Sequence, residues 1–455
     1  VLVRRLRYTI FAVYQRLFTF VVLVNACFVL VFLHSRDWQA SRVFKTSTLA
    51  TFASSNFLLA IFFRQDWFIN LLFRSAWLVP WSLPLRVRRI ISRVYCYGGI
   101  HSGAAVMGTV WWVVFAAVMS WEGVTRGTYT PLILVLTLVI CSFLLTIILL
   151  SLPRLRARHH DTWEVTHRFM GWLSIALFWA QILLLTHYTT STSQSPSSSF
   201  SQTLLHTPTF YTLSLITLLL IYPWLLLRRW TFTATPLSSH ALQLSFPNKV
   251  HKYSCLALST HPLTEWHPFA TFPTDDPQNG TSIVVSAAGD WTRALIASAT
   301  AQSTNNTTTT TTTTNDNTAN NTTTHTPLQM QFYIKSHPHA GVLSLSCLYK
   351  RILILTTGSG IGPSLSSLLD RPATQHARLV WAARAPETTF GEEIMRLVAR
   401  ADPDAVIVDT SENERGLEGK KKRPDLLSLT HQLSLQERVE AVFVLSNEKV
   451  TRWVV

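Results

Sequence analysis

Residues 351–363, Arg-Ile-Leu-Ile-Leu-Thr-Thr-Gly-Ser-Gly-Ile-Gly-Pro, decide the fold of the C-terminal part of this chain. The apolar run Ile352–Leu355 is too short for a helix and reads as a strand buried on both faces, the pattern of a parallel sheet. It runs directly into Gly358, Gly360 and Gly362, with Pro363 placed to open a helix. Glycines at such a turn let the backbone come close to a phosphate. The helix start adds free N–H groups and the positive end of a dipole. Thr357, Gly358, Gly360, Gly362 and Pro363 are therefore the candidate nucleotide-binding residues.

Downstream the pattern alternates: helix 363–370, strand 377–383, helix 391–401, strand 404–409, a basic loop, and a strand near 441–445. Strands alternating with helices predict a parallel sheet covered on both faces, in a domain spanning 350–455. Arg384 follows the second strand, where an acidic residue would accept the 2′-hydroxyl of NADH. A basic residue there suits a 2′-phosphate, hence NADPH, although a solvated strand-end arginine is the plain alternative. Lys420, Lys421 and Lys422 read as a solvated loop.

Upstream, Thr231–Thr235, Ala241–Phe246 and Tyr253–Leu258 are short alternating or β-branched runs, and Gln329–Lys335 is another. They predict a small antiparallel barrel over 229–349. Eight consecutive threonines, Thr307–Thr314, lie in a Thr/Asn-rich stretch, 302–326, that has little apolar surface to offset ordering. It is expected to be a disordered insertion.

Residues 1–228 differ in kind. Apolar runs near 17–33, 46–63, 100–119, 132–152, 169–186 and 210–227 approach or reach the ~20 residues that cross a bilayer. The chain is 48% hydrophobic and only 14% charged, yet carries a net charge of +15. That charge follows the connections between apolar runs: Arg4, Arg5, Arg7 and Arg16; then Arg64, Arg74, Arg86, Arg88, Arg89 and Arg93; then Arg154, Arg156 and Arg158; then Arg228 and Arg229. The segment 188–208 has no Lys, Arg, Asp or Glu. This is a membrane-topology bias rather than a nucleic-acid footprint. It gives six spans with both termini cytosolic, in the plasma membrane or an endomembrane, with lipid as partner. Arg36, Arg42 and Lys45 dissent, lying in a loop this topology places outside. No cleavable leader is evident, and a start at Val1 suggests that sequence precedes it. The five cysteines form no CxxC pair, so neither a zinc site nor a disulfide framework is indicated.

Two further segments carry a family resemblance. Glu265-Trp266-His267-Pro268-Phe269-Ala270-Thr271 and the run from Ser282 through Gly289-Asp290-Trp291-Thr292 resemble the flavin barrel of ferric-reductase-like enzymes. With the glycine loop following, the order is that of the ferredoxin-reductase superfamily. Together with Tyr97-Gly-Gly-Ile-His101 and the run from His160 to His167, the chain looks like the fungal TmpA-type integral membrane flavoproteins. It is also similar to the C-terminal part of some fungal adenylating synthetase-like proteins. The resemblance implies a multi-pass helical membrane bundle followed by a ferredoxin-reductase-like module. It implies that FAD is held by His267, Pro268, Phe269, Thr271, Gly289, Trp291 and Thr292. The sequence departs from the pattern at Ala270, which separates Phe269 from Thr271, and at 335–341, which replaces the usual phosphate loop. The stop at Val455 is earlier than such enzymes show, so the domain is expected to be truncated.

The resemblance also implies two haems held by paired histidines four turns apart. Here only His101 and His167 are placed for this. The outer positions are Val114 and Phe115 after His101, and Ala180 and Gln181 after His167. These two histidines either clamp one inner haem or belong to a polar network. The resulting expectation is a membrane flavoprotein oxidising NADPH through FAD on the cytosolic side, with an unknown acceptor. The alternatives are a transmembrane ferric or metalloreductase with haem, and a low-turnover flavin-binding signalling protein.

Overall fold

The computed structural model describes residues 12–34, 45–192, 199–276, 278–305, 307–313, 319–325, 327–335, 337–411 and 425–454. Arg4, Arg5, Arg7, Arg36, Arg42 and Lys420–Lys422 lie outside these. The chain divides into two compact units: 1–69, 95–225 and 263–265 form one, and 70–94, 226–262 and 266–455 the other.

The first unit is helical. Val13–His34, Gly98–Arg126, Pro131–Leu150, His160–Thr192 and Pro208–Leu225 are each long and apolar enough to cross a membrane. Thr46–Phe62 reaches that length only together with Asp66–Trp77, from which it is bent by 61°. The continuous stretch Leu85–Arg126 is 42 residues, twice a crossing, and a 3₁₀ turn at Ser92–Tyr97 divides it before Gly98. Each of the six apolar runs thus forms a helix. Leu49, Trp112, Phe115, Ile140 and Ile216 form the core. Asn25 and Asn56 are satisfied inside it by a reciprocal amide pair of 3.1 and 2.9 Å, and Trp111 Nε1 donates to Asn25 Oδ1 at 2.8 Å. Satisfying them matters because an unpaired amide at that depth would cost on the order of 2 kcal/mol or more.

The second unit holds two sheets. Strands β1 (Arg228–Ser238), β2 (Ala241–Phe246), β3 (Ser254–Ser259), β4 (His267–Ala270), β5 (Phe272–Pro273), β6 (Thr281–Ser286), β9 (Leu328–Ile334) and β10 (His339–Ala340) pair antiparallel, in the order β10-β3-β9-β1-β2-β6-β5. Strand β4 pairs with β3 and β5 with β6, and only Thr271 separates β4 from β5. The segment His267–Pro273 therefore pairs with β3 at one end and with β6 at the other, which brings the sheet close to a closed barrel, with β10 beyond β3. Phe232, Leu244, Phe246, Leu256, Ile283 and Phe332 fill it.

Of the Thr/Asn stretch 302–326, residues 306, 314–318 and 326 lie outside the described residues. The helix Asp290–Asn305 runs up to it, and β7 (Thr307–Thr313) pairs antiparallel with β8 (Ala319–His325) as a two-stranded ribbon. β-Branched threonine favours extended backbone, and ladder hydrogen bonds need no apolar face.

The second sheet is parallel, with β11 (Arg351–Thr357), β12 (His376–Ala383), β13 (Val406–Asp409) and β14 (Ala441–Leu445) in the order β13-β12-β11-β14. Ile352–Leu355 is fully buried, as a strand covered on both faces requires. The order reverses between β11 and β14, and the crevice beyond their carboxyl ends is where open α/β sheets bind ligands.

Segment 70–94, expected with the bundle, belongs to this second unit. Its Arg88 forms a bidentate pair with Glu440, at 2.8 and 2.9 Å, just before β14.

Candidate functional site

A cleft of about 790 Å³ opens at the β11/β14 reversal. That is within the ~300–1,000 Å³ usual for cofactor pockets. One wall is Thr357–Gly360 with Pro363, and a second is Phe443–Asn447. A third wall comes from the barrel, through Tyr253, Cys255, Pro268 and Ala270. Gly341–Ser344 completes the cleft. Of the residues singled out in the sequence, Pro268, Thr357, Gly358, Gly360 and Pro363 meet here. Sequence and barrel order together thus bring the flavin-like strand and the glycine loop into one cleft.

The glycines have separate jobs. Gly358 has φ +51°, in the left-handed region, and nothing stands within 4 Å of where its side chain would be. Its carbonyl accepts from Trp381 Nε1 at 3.0 Å, which pins the loop to β12. Gly360 instead lies against the Thr356 hydroxyl and the Leu445 carbonyl, so there glycine serves strand packing rather than ligand approach. Gly362 faces only Val284, whose Cβ is 3.9 Å from where a methyl group would stand, and it lines no part of the cleft. Thr357 Oγ1 and Ser446 Oγ share a hydrogen bond of 2.7 Å across the two strand ends.

The other named residues lie outside the lining. His267 stacks on Trp291 with ring centroids 4.0 Å apart at 20°, and Phe269 follows at 6.2 Å. This aromatic stack covers the barrel core beside β4. Thr271 is buried, and both its N–H and its hydroxyl donate to the Ser254 carbonyl, at 2.9 and 3.0 Å. Its chemistry goes into closing the barrel. Thr292 Oγ1 accepts from the Ala288 and Gly289 N–H groups, at 3.0 and 2.9 Å, and donates to the Gly289 carbonyl. Those groups shape the start of the helix Asp290–Asn305. Arg384 is exposed at the end of β12, and the next residue, Ala385, takes φ +41° with its N–H on Asp409 Oδ1 at 2.9 Å.

Two walls escape sequence reading. Gly341 ends the stretch that reads only as a replaced phosphate loop, yet Gly341–Ser344 opens a 3₁₀ turn, Val342–Leu348, against the cleft. Ser344 is fully buried and its Oγ has no hydrogen-bond partner. The wall Phe443–Asn447 carries only the signal of an apolar strand followed by Ser-Asn. Among the described residues lining the cleft none is charged. An anionic group would therefore be held by backbone N–H groups of the loop and by hydroxyls. Burial holds the Cys255 thiol up at about 11. Cys255 thus lines the cleft as a neutral thiol, without the thiolate that nucleophilic or metal chemistry needs.

In the helical unit, His101 and His167 have ring centroids 6.4 Å apart. Two imidazoles on opposite sides of one iron, each bonded at about 2 Å, hold their centroids roughly 6 Å apart. His101 Nδ1 sits 2.8 Å from the Ala60 carbonyl; with the proton there, Nε2 is left as the ligating atom. The spacing fits one iron. Among the described residues no group of three or more His, Cys, Asp or Glu side chains forms a metal site.

Comparison with known proteins finds similarity in two curated proteins and one family model. A family model described as the C-terminal domain of adenylate-forming reductase 03009 matches residues 342–455, which hold the glycine loop and the parallel sheet. Two curated proteins of Coprinopsis cinerea are similar along the whole chain. Adenylate-forming reductase 03009 is 34% identical over 455 residues, and adenylate-forming reductase 06235 is 35% identical over 456. This chain spans 40% of the length of each. Among solved structures, a ferredoxin-NADP+ reductase of Plasmodium falciparum is 10% identical, covering 50% of this chain and 88% of that one, with a TM-score of 0.32. That likeness is too weak to carry function.

Proposed function

We propose that this chain is a membrane-bound flavoprotein reductase that oxidises NADPH through FAD. The observation that carries the reading is the cleft: it joins barrel residues Pro268 and Ala270 to the glycine loop at a parallel-sheet reversal. A flavin there would accept a hydride from a nicotinamide and release electrons singly. The chain's own contribution is positional. Gly358 and Trp381 fix the loop, Thr357 and Ser446 place hydroxyls at the two strand ends, and Ser344 holds an unused hydroxyl at the cleft wall. Arg384, exposed at the end of β12, supports NADPH over NADH. The names of the Coprinopsis relatives, which are called reductases, support the same class.

Five apolar helices of crossing length among the described residues, six if the bent pair counts as one span, support membrane insertion, and the arginine distribution supports a cytosolic cleft with lipid around the bundle. The acceptor is then cytosolic or dissolved in the membrane. The detergent-purified chain should reduce a soluble dye when given FAD and NADPH, and more slowly with NADH. Absence of NADPH-dependent turnover after loading with FAD would overturn the enzyme reading and favour a flavin-binding signalling protein.

A second reading rests on the histidine spacing. One haem between His101 and His167 would make the bundle an electron carrier; His101 would be oriented by the Ala60 carbonyl. A reduced-minus-oxidised spectrum of the purified chain, with and without His101→Ala, decides it.

A further inference from the structure

We infer that residues 78–93 form an in-plane strap that lies on anionic lipid headgroups while its inner side grips the cleft-bearing unit. This rests on the membrane reading above. The short helix Leu85–Ile91 is inside-out for a protein in water. Its Arg88 is 4% exposed, whereas Ile90 is 66% exposed and Val87 38%. Leu78, at 82%, and Leu83 extend the exposed apolar surface.

The inward side explains the buried charge. Arg88 meets both Glu440 carboxylate oxygens and the Leu348 carbonyl, at 2.9 Å for the last. Trp81 Nε1 donates to the Cys347 carbonyl at 2.7 Å, and Tyr349 donates to Ser92 Oγ at 2.8 Å. Each partner lies on or beside the 3₁₀ turn that walls the cleft, or on the approach to β14. The strap's inner groups are thereby used up and cannot turn outward to water.

The outward side then needs an occupant, and the chain itself points to one. The helix Gly98–Arg126, of crossing length, follows the strap, and the bent pair Thr46–Phe62 and Asp66–Trp77 precedes it, so on the membrane reading it is tethered at a membrane face. Arg86 is exposed beside Ile90 and the half-buried Arg93 follows one turn on, so the exposed face carries aliphatic side chains with positive charge among them. A surface that inserts apolar groups at the acyl boundary and offers arginines to headgroups suits an anionic leaflet.

The test uses the full-length chain in lipid nanodiscs, with the photo-crosslinking amino acid benzoylphenylalanine in place of Ile90. Alkaline carbonate extraction of native membranes is run beside it. Crosslinks to lipid are expected, enriched in phosphatidylserine over phosphatidylcholine. The enrichment should fall on the order of fivefold for each of Arg86→Gln and Arg93→Gln. Crosslinks only to protein, or lipid crosslinks indifferent to headgroup and to both arginines, overturn the strap. If carbonate releases the chain, the membrane reading itself fails; if the chain stays bound and the crosslinks fail, only this inference does.

Discussion

A methyl group added at Gly360 would press on the Thr356 hydroxyl and come within 3.2 Å of the Leu445 carbonyl, which are fixed ends of two paired strands. One added at Gly362 meets nothing closer than 3.9 Å. Gly360→Ala should therefore cost about 1–3 kcal/mol and loosen the cleft wall. NADPH-dependent dye reduction should fall by about tenfold or more. Gly362→Ala should change stability by only about 0.5 kcal/mol. Melting curves and turnover of the two variants, side by side, check this, and equal losses would refute it. At Thr271 the outcome should be structural. Thr271→Val removes one hydrogen bond to the Ser254 carbonyl, at about 1 kcal/mol, with FAD affinity retained. A large fall in FAD affinity at unchanged melting temperature would restore Thr271 to the cofactor. Both glycines stand in one legible motif with Gly358, but the sequence does not reveal that Gly360 packs on its own sheet while Gly358 stays open. That depends on β14, some eighty residues further along.

Elements are more legible than their partners. The strand Ile352–Leu355 and the six apolar helices follow from run length and periodicity alone, and each appears close to its expected place. The pairing that closes the barrel at Thr271 is a long-range event with no local signal. The same holds for Arg88, which reads as one of six topology-setting arginines yet forms a bidentate pair 352 residues away. Its hydrogen bonds, only partly opposed by burial, hold the Glu440 carboxyl below the usual carboxylate range. A carboxylate depressed in this way contributes stability that is complete above its unfolded pKa and is lost as pH falls through the lower, folded one. Arg88→Met should therefore destabilise the second unit by about 3 kcal/mol at neutral pH and flatten its acid-side pH dependence. Tryptophan fluorescence melts of the purified protein between neutral and acidic pH measure both. A variant as stable as the parent at neutral pH would show the pair to be incidental.

At the scale of the whole molecule, charge placement and hydropathy predict an orientation, whereas the acceptor leaves no mark in the sequence. If the second unit is cytosolic, the sequon Asn279-Gly280-Thr281 should remain unmodified in a eukaryotic membrane expression host. Endoglycosidase-sensitive sugar at Asn279 would reverse the orientation. Intact cells should likewise show no added reduction of an impermeant ferric chelate, while broken membranes given NADPH reduce a soluble dye. Reduction of the chelate that is lost on His101→Ala would instead make the helical unit a conducting path. The most direct measurement is an anaerobic titration of the detergent-purified chain, loaded with FAD, followed by its visible spectrum. Stoichiometric bleaching of the flavin band by NADPH, abolished or strongly slowed in Gly360→Ala, is the predicted result; a chain that retains no flavin, or whose bound flavin stays oxidised under excess NADPH, would contradict it.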